Sequence, residues 1–317
     1  MSRFTDEYKI KYEGCLKRVQ KPARYIGNEF GSVHKKWSDD MLTFAFCFPD
    51  VYEVGMSHLG MKILYHMLNE REDTVCERVF APWDDMEQEM RKEGIPLLSM
   101  ESYVPVKNFD FIGFTLQYEM SYSNIVNMLD LAGVPLRTAE RTAGDPFVCC
   151  GGPCAYHAEP LSDFVDFFIL GEGEEVNSEI MDVYKEWKNS GSTDRDDFLM
   201  SIIPLGGVYV PKFYDVEYND DNTISRFEPN REGVPKQVRK RIILNMDNTY
   251  VPKKLIVPFM ETVHDRIMLE LFRGCIRGCR FCQAGYIYRP VRERSVDKLV
   301  ETAGECIKNT GYEEMSM

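Results

Sequence analysis

Thr43-Phe44-Ala45-Phe46-Cys47-Phe48 is an apolar run stopped by Pro49-Asp50. A short aromatic-rich run ending in a turn signal reads as a strand buried on both faces. The period then changes. From Ser57 to Asn69 the apolar residues Leu59, Ile63, Leu64, Met67 and Leu68 recur at helical spacing. Further strands are expected at Val79–Ala81, Pro96–Met100, Phe109–Leu116, Phe147–Cys150 and Phe167–Leu170. Helices are expected between them at Trp83–Lys92, Ser121–Ala132 and Glu174–Lys188. Strands alternating with helices imply a parallel sheet covered on both faces. Residues 41–190 therefore read as one doubly wound, Rossmann-like α/β domain.

On either side the pattern differs. Residues 1–40 form a polar N-terminal extension with a short helix before Pro22. Residues 191–265 read as a connector, with short strands at Gly206–Val210, Phe213–Tyr218 and Arg241–Leu244 and a turn cluster at Asn219–Asn222. Residues 266–317 start a second domain: a strand at Ile267–Leu271, a helix at Val296–Asn309 and a strand beginning at Glu314. The 317 residues suit about two domains.

Charge separates these regions. The net charge is −13, yet residues 231–300 carry 15 Lys and Arg against 7 Asp and Glu. The N-terminal body is therefore strongly acidic, which argues against nonspecific nucleic-acid binding there. No apolar run approaches the ~20 residues that span a bilayer. The start, MSRFTDEYKIKYEG, has no apolar signal core, so the ten cysteines are expected in a reducing, cytoplasmic setting.

The chemistry is concentrated in Arg273-Gly274-Cys275-Ile276-Arg277-Gly278-Cys279-Arg280-Phe281-Cys282, a C-x3-C-x2-C spacing. In a reducing compartment such spacing is metal-binding or catalytic more often than disulfide-forming. Iron–sulfur clusters are usually held by four cysteines. Three on one loop can wrap one face of a cubic cluster and leave an iron open for chemistry. A structural zinc with His264 as fourth ligand is the alternative, but such sites commonly use paired knuckles, and no second knuckle occurs. Cys149, Cys150 and Cys154 form a crowded second group, more readily read as buried strand-end cysteines.

The cysteine run resembles the cluster loop of the radical S-adenosylmethionine (SAM) enzymes, including Phe281 before the last cysteine. The resemblance implies that Cys275, Cys279 and Cys282 ligate a [4Fe-4S] cluster and that Phe281 packs near the adenine of bound SAM. It implies an electron donor such as flavodoxin or ferredoxin, and reductive cleavage of SAM to a 5′-deoxyadenosyl radical. It names no substrate. It also implies a partial (β/α) barrel with the cluster loop after its first strand. Only the first βα unit of such a barrel fits in the 35 residues after Cys282. The chain therefore reads as the N-terminal portion of a longer protein. Arg289, Arg292 and Arg294 follow the loop and are candidates for an anionic group of SAM or substrate.

Residues 41–185 resemble the cobalamin-binding domain fused to many radical SAM enzymes. Three loops carry the likeness: Pro49–Gly60, the turn after Thr115-Leu116, and Cys150-Gly151-Gly152-Pro153 with Gly171-Glu172-Gly173-Glu174 after the next strand. The resemblance implies that Gly151 and Gly152 line a channel for the nucleotide tail and that Thr115 lies at the second loop. Tyr52 stands where the family's cobalt-binding histidine is expected, and His58 is a substitute in another register. Imidazole binds cobalt well and a neutral phenol poorly. Cobalamin binding and a scaffold of the same ancestry both remain open. The stretches Tyr52–Tyr65 and Phe272–Gly285 are similar to an uncharacterised bacterial family that fuses the two domains. The implied activity is radical chemistry, including methyl transfer; the alternative is a non-catalytic cobalamin- or metal-sensing module.

Overall fold

The computed structural model describes residues 6–38 and 40–317; residues 1–5 and Asp39 of the expected extension lie outside the described residues. Strand β1 (Leu42–Phe48) is buried along its whole length because it lies between β2 (Thr74–Phe80) and β3 (Phe111–Thr115). The sheet continues through β4 (Phe147–Gly151) and β5 (Phe167–Ile169) to β6 (Val208–Tyr209), in the order β2-β1-β3-β4-β5-β6. The first five strands are parallel and β6 is antiparallel to β5. Phe44 lies opposite Phe111, and Phe111 opposite Phe147, so aromatic rings stack across the sheet. Burying a side chain of this size contributes about 1.5–3 kcal/mol.

Helices cover both faces. The extension supplies α1 (Asp6–Leu16), and the loop after β1 supplies the short α2 (Tyr52–Gly55) and then α3 (Leu59–Glu70). After β2 comes α4 (Asp84–Glu93), and after β3 comes α5 (Tyr122–Ala132). After β5 come α6 (Gly173–Asn189) and α7 (Arg195–Ile202). On one face α3 packs against β2 and α6, while Tyr184 of α6 and Phe198 of α7 close over Phe111. On the other, Asn127 of α5 bonds Glu87 of α4, and Arg18 just beyond α1 bonds Glu89 of α4. The strand order reverses between β1 and β3. In doubly wound sheets ligands bind at such a switch point, outside the carboxyl ends of the strands.

Two expected strands do not form. Pro96–Met100 is buried but irregular, because its backbone donors are spent on unrelated segments: Leu97 N on Leu131 O, Ser99 N on Val104 O and Met100 N on Arg78 O. Arg241–Leu244 contributes only an isolated bridge from Arg241 to Gly171. Residues expected in the connector instead extend the sheet as β6, and a protruding hairpin follows from β7 (Tyr214–Tyr218) and β8 (Ile224–Pro229).

The last fifty residues are sparser. β9 (Ile267–Met268) pairs in parallel with β12 (Met315–Ser316). Between them lie β10 (Phe272–Arg273), the short α8 (Ala284–Ile287), β11 (Arg292–Glu293) and α9 (Val296–Thr310). β10 and β11 are antiparallel and close the ends of the cysteine loop. Ser295 caps α9 by accepting from Lys298 N. Among the described residues this region forms one βαβ unit and no barrel.

Candidate functional site

A cavity of about 440 Å³ opens at the carboxyl ends of β1, β3, β4 and β5. Its floor is built by alternation: Phe44 and Phe46 of β1, Gly113 and Thr115 of β3, and Cys149 and Gly151 of β4 share one sheet face. A side chain at Gly113 would strike the Phe44 ring at 2.3 Å, so glycine lets that ring lie across β3. Gly152 has φ +99°, and a Cβ there would sit 2.7 Å from Leu116 O. The glycine pair thus turns the chain away from β4 and leaves the cavity open.

The structure brings together Thr115, Gly151, Gly152 and His58 at this cavity. His58 caps α3: its Nδ1 accepts from Met61 N at 3.1 Å. A neutral imidazole has one acceptor and one donor nitrogen, so Nε2 carries the proton. Burial lowers the pKa of His58, and a hydrogen bond with Gln117 partly opposes this. Gln117 in turn donates to Thr115 Oγ1 at 2.6 Å. Tyr52 is not at the cavity. It is fully buried, and its hydroxyl donates to Glu29 at 2.7 Å. Glu29 also accepts from Arg78, whose guanidinium reaches Glu101 as well. The position expected to hold a cobalt ligand belongs to this buried ionic network.

The far wall of the cavity comes from the cysteine segment, with Phe272, Arg273, Gly274, Tyr288, Arg289 and Arg292 lining it. Glu172, just before α6, binds Arg292 and accepts from Ile243 N at 2.6 Å. Glu174 binds Arg273, which also pairs with Glu270 at 2.7 Å. Burial alone would lower the Arg273 pKa; Glu270 and Glu174 hold it above its ordinary value. The two arginines flank the loop at residues 273 and 292, so the acidic turn grips both of its ends. Gly274 completes the closure: φ is +98°, and a Cβ there would lie 2.5 Å from Pro290 O. This clasp was missed in the sequence. Its signal was the pairing of a Gly-Glu-Gly-Glu turn in an acidic body with arginines around the cysteines.

All ten cysteines are free. Cys275 and Cys282 are half-buried and Cys279 is exposed, whereas the other seven are buried. The Cys282 amide donates to Cys279 O at 3.1 Å. Among the described residues no three His, Cys, Asp or Glu side chains converge on one metal ion, and His264 does not join the thiols. Its amide instead donates to Ser57 Oγ at 3.0 Å. Phe281 is 93% exposed. Cys149, Cys150 and Cys154 form no metal group either; burial raises their pKa values, that of Cys154 to about 11. Arg292 and Arg294 are committed, Arg292 to Glu172 and Ile243 O, and Arg294 to Met246 O, Thr249 and Glu270. They are therefore not available as anion ligands.

Residues 60–211 match the family model for the N-terminal region of radical SAM proteins. The matched radical SAM N-terminal region runs from the start of α3 to just past β6 and includes the glycine pair and the acidic turn of the cavity. The three loop cysteines lie outside it. The uncharacterized protein MJ0966 of Methanocaldococcus jannaschii is 24% identical over 265 residues, covering 83% of this chain and 46% of that protein. The chain thus spans under half the length of this curated relative. No solved structure matches the chain. No helix among the described residues is long and apolar enough to cross a membrane.

Proposed function

We propose that this chain is the cofactor-organising part of a radical SAM enzyme, with Cys275, Cys279 and Cys282 as ligands of a [4Fe-4S] cluster. The observation that carries this reading is the loop itself. Three free, solvent-reachable thiols lie between two arginines clamped to a radical SAM N-terminal region. A cluster offers each thiol its own iron, so the donors need to share a face and not converge on a point. Bound there, the cluster with SAM would supply a 5′-deoxyadenosyl radical. The chain's own residues hold the loop in place: Glu172 and Glu174 fix its ends, and Gly274 lets it turn beneath Pro290.

Cobalamin fits the adjoining cavity poorly. Tyr52 is turned into the core, and the only ring nitrogen of His58 with a free lone pair already accepts from Met61 N. Neither the Tyr52 phenol nor the His58 imidazole therefore offers the cavity an uncommitted lone pair for cobalt. The domain serves as a ligand-presenting scaffold, with substrate, rather than a corrin, as the cavity's occupant.

Anaerobic reconstitution with iron and sulfide tests the cluster. A brown protein whose reduced-state electron paramagnetic resonance signal shifts on adding SAM is the expected result. A colourless, zinc-loaded protein, or a cluster signal indifferent to SAM, contradicts it.

A further inference from the structure

The cavity's charges are unevenly spent. Three carboxylates line it, Glu172, Glu174 and Glu270, and each is paired with arginine. Of the lining cations, Arg241 pairs with Glu175 and Glu179, and Arg273 and Arg292 are held by the clasp. Two remain. Lys240 donates to Ile287 O at 2.7 Å and Arg289 O at 2.6 Å, and forms no ion pair among the described residues. An ammonium has three donors, so one is left. Arg289 has no carboxylate partner among the described residues; its Nε makes a marginal contact to Cys275 O at 3.5 Å, and its guanidinium lies 5.6 Å from the Tyr286 ring centroid. The lining also includes Tyr156, whose buried hydroxyl has no hydrogen-bond partner among the described residues. The remaining surface is largely apolar, built from Phe46, Ile63, Leu64, Ile169 and Phe272.

We infer that this cavity takes an amphipathic anion, its apolar body on the sheet and α3 and its carboxylate or phosphate held at the mouth by Arg289 and Lys240. The inference rests on the cavity being the ligand site, as proposed above. A cationic ligand would meet two unneutralised cations and no free carboxylate. A neutral one would leave both cations unmatched. Planar guanidinium forks suit carboxylate and phosphate in particular. Because Arg289 touches the backbone of Cys275, an anion bound there lies against the first of the three thiols' own chain segment.

Calorimetric titration of the protein with 2-naphthoate, 2-naphthyl phosphate and neutral 2-naphthamide tests this. Both anions should bind at least about tenfold more tightly than the amide, the tighter of them naming the preferred head group. Arg289→Gln should abolish that preference while leaving amide binding unchanged. Leu64→Trp, which fills the apolar part, should weaken all three. Equal binding of anion and amide, both weakened by Leu64→Trp, keeps the cavity as the ligand site and overturns the anion inference. Anion binding untouched by Leu64→Trp overturns the cavity reading and the inference with it. No saturable binding of any probe also overturns the inference.

Discussion

The sheet domain and the final fifty residues are held together by different physics. The domain has a continuous core that runs from Tyr12 of α1 through the sheet to Val234 and Ile256 of the connector. The cysteine-bearing region rests on a separate, small cluster in which Ile267, Leu269 and Cys306 pack with Leu255 of the connector. Its position is set by arginines: Arg273 and Arg292 reach carboxylates of the domain, and Arg294 reaches Met246 O and Thr249 of the connector. Even the ion pairs differ. Arg78 with Glu29 and Glu101 is sealed from water, whereas the clasp lies at the edge of an open cavity. Packing gives the domain its stability. Charge gives the loop its direction relative to the cavity.

The largest effect expected from this contrast is at Arg78. Replacing it with Met leaves Glu29 and Glu101 buried without their cation, at a cost of about 3–5 kcal/mol. Chemical denaturation should show this as a lower midpoint for the whole sheet domain. A change under about 1 kcal/mol would mean that the network is not a structural part of the core.

Lys62 sharpens the comparison in the opposite direction. It is 6% exposed, and its ammonium has no hydrogen-bond or ion-pair partner among the described residues. Burial pushes its pKa down to about 8, partly opposed by Asp265 and reinforced by Arg78. Between about pH 8 and the ordinary value of 10.5 the unfolded chain binds the extra proton, so stability rises with pH across that window. Lys62→Met should therefore be more stable than the parent at pH 7 by up to about 3 kcal/mol. The gap should close as pH rises from 8 to 10.5. A variant less stable than the parent at pH 7 would show that the amine has a favourable role.

The smallest effect on stability, and the most local, is at the clasp. Glu172→Gln should lower the domain's unfolding midpoint by less than Arg78→Met does, because Glu172 and Arg292, 13% and 6% exposed, keep some contact with water at the cavity, whereas Arg78 and its two partners are sealed. Hydrogen exchange at residues 272–293 should nonetheless speed up, while exchange in β1 and β3 stays as it was. Equal acceleration in both regions would remove the distinction between a packed domain and a charge-held loop.

The sequence made much of the first region legible and little of the second. Aromatic runs and helical periodicity marked β1, β3, β4, β5, α3, α5 and α6, because burial imposes those periods directly. They failed at Pro96–Met100, where an equally apolar stretch gives its hydrogen bonds to three different segments. The glycines of the cavity were visible as the loops that carried the family likeness. Their neighbours from the cysteine segment were not, since an ion pair between Glu174 and Arg273 leaves no periodic trace. Tyr52 stood at an expected ligand position, yet only the fold shows its hydroxyl turned to Glu29.

The three loop thiols are the proposed ligands of the cluster. Iron and sulfide should be counted after anaerobic reconstitution of the parent protein and of Cys275→Ala, Cys279→Ala and Cys282→Ala. The predicted result is about four irons per chain in the parent and loss of most of that iron in each variant. Unchanged iron in any one of the three variants would contradict it.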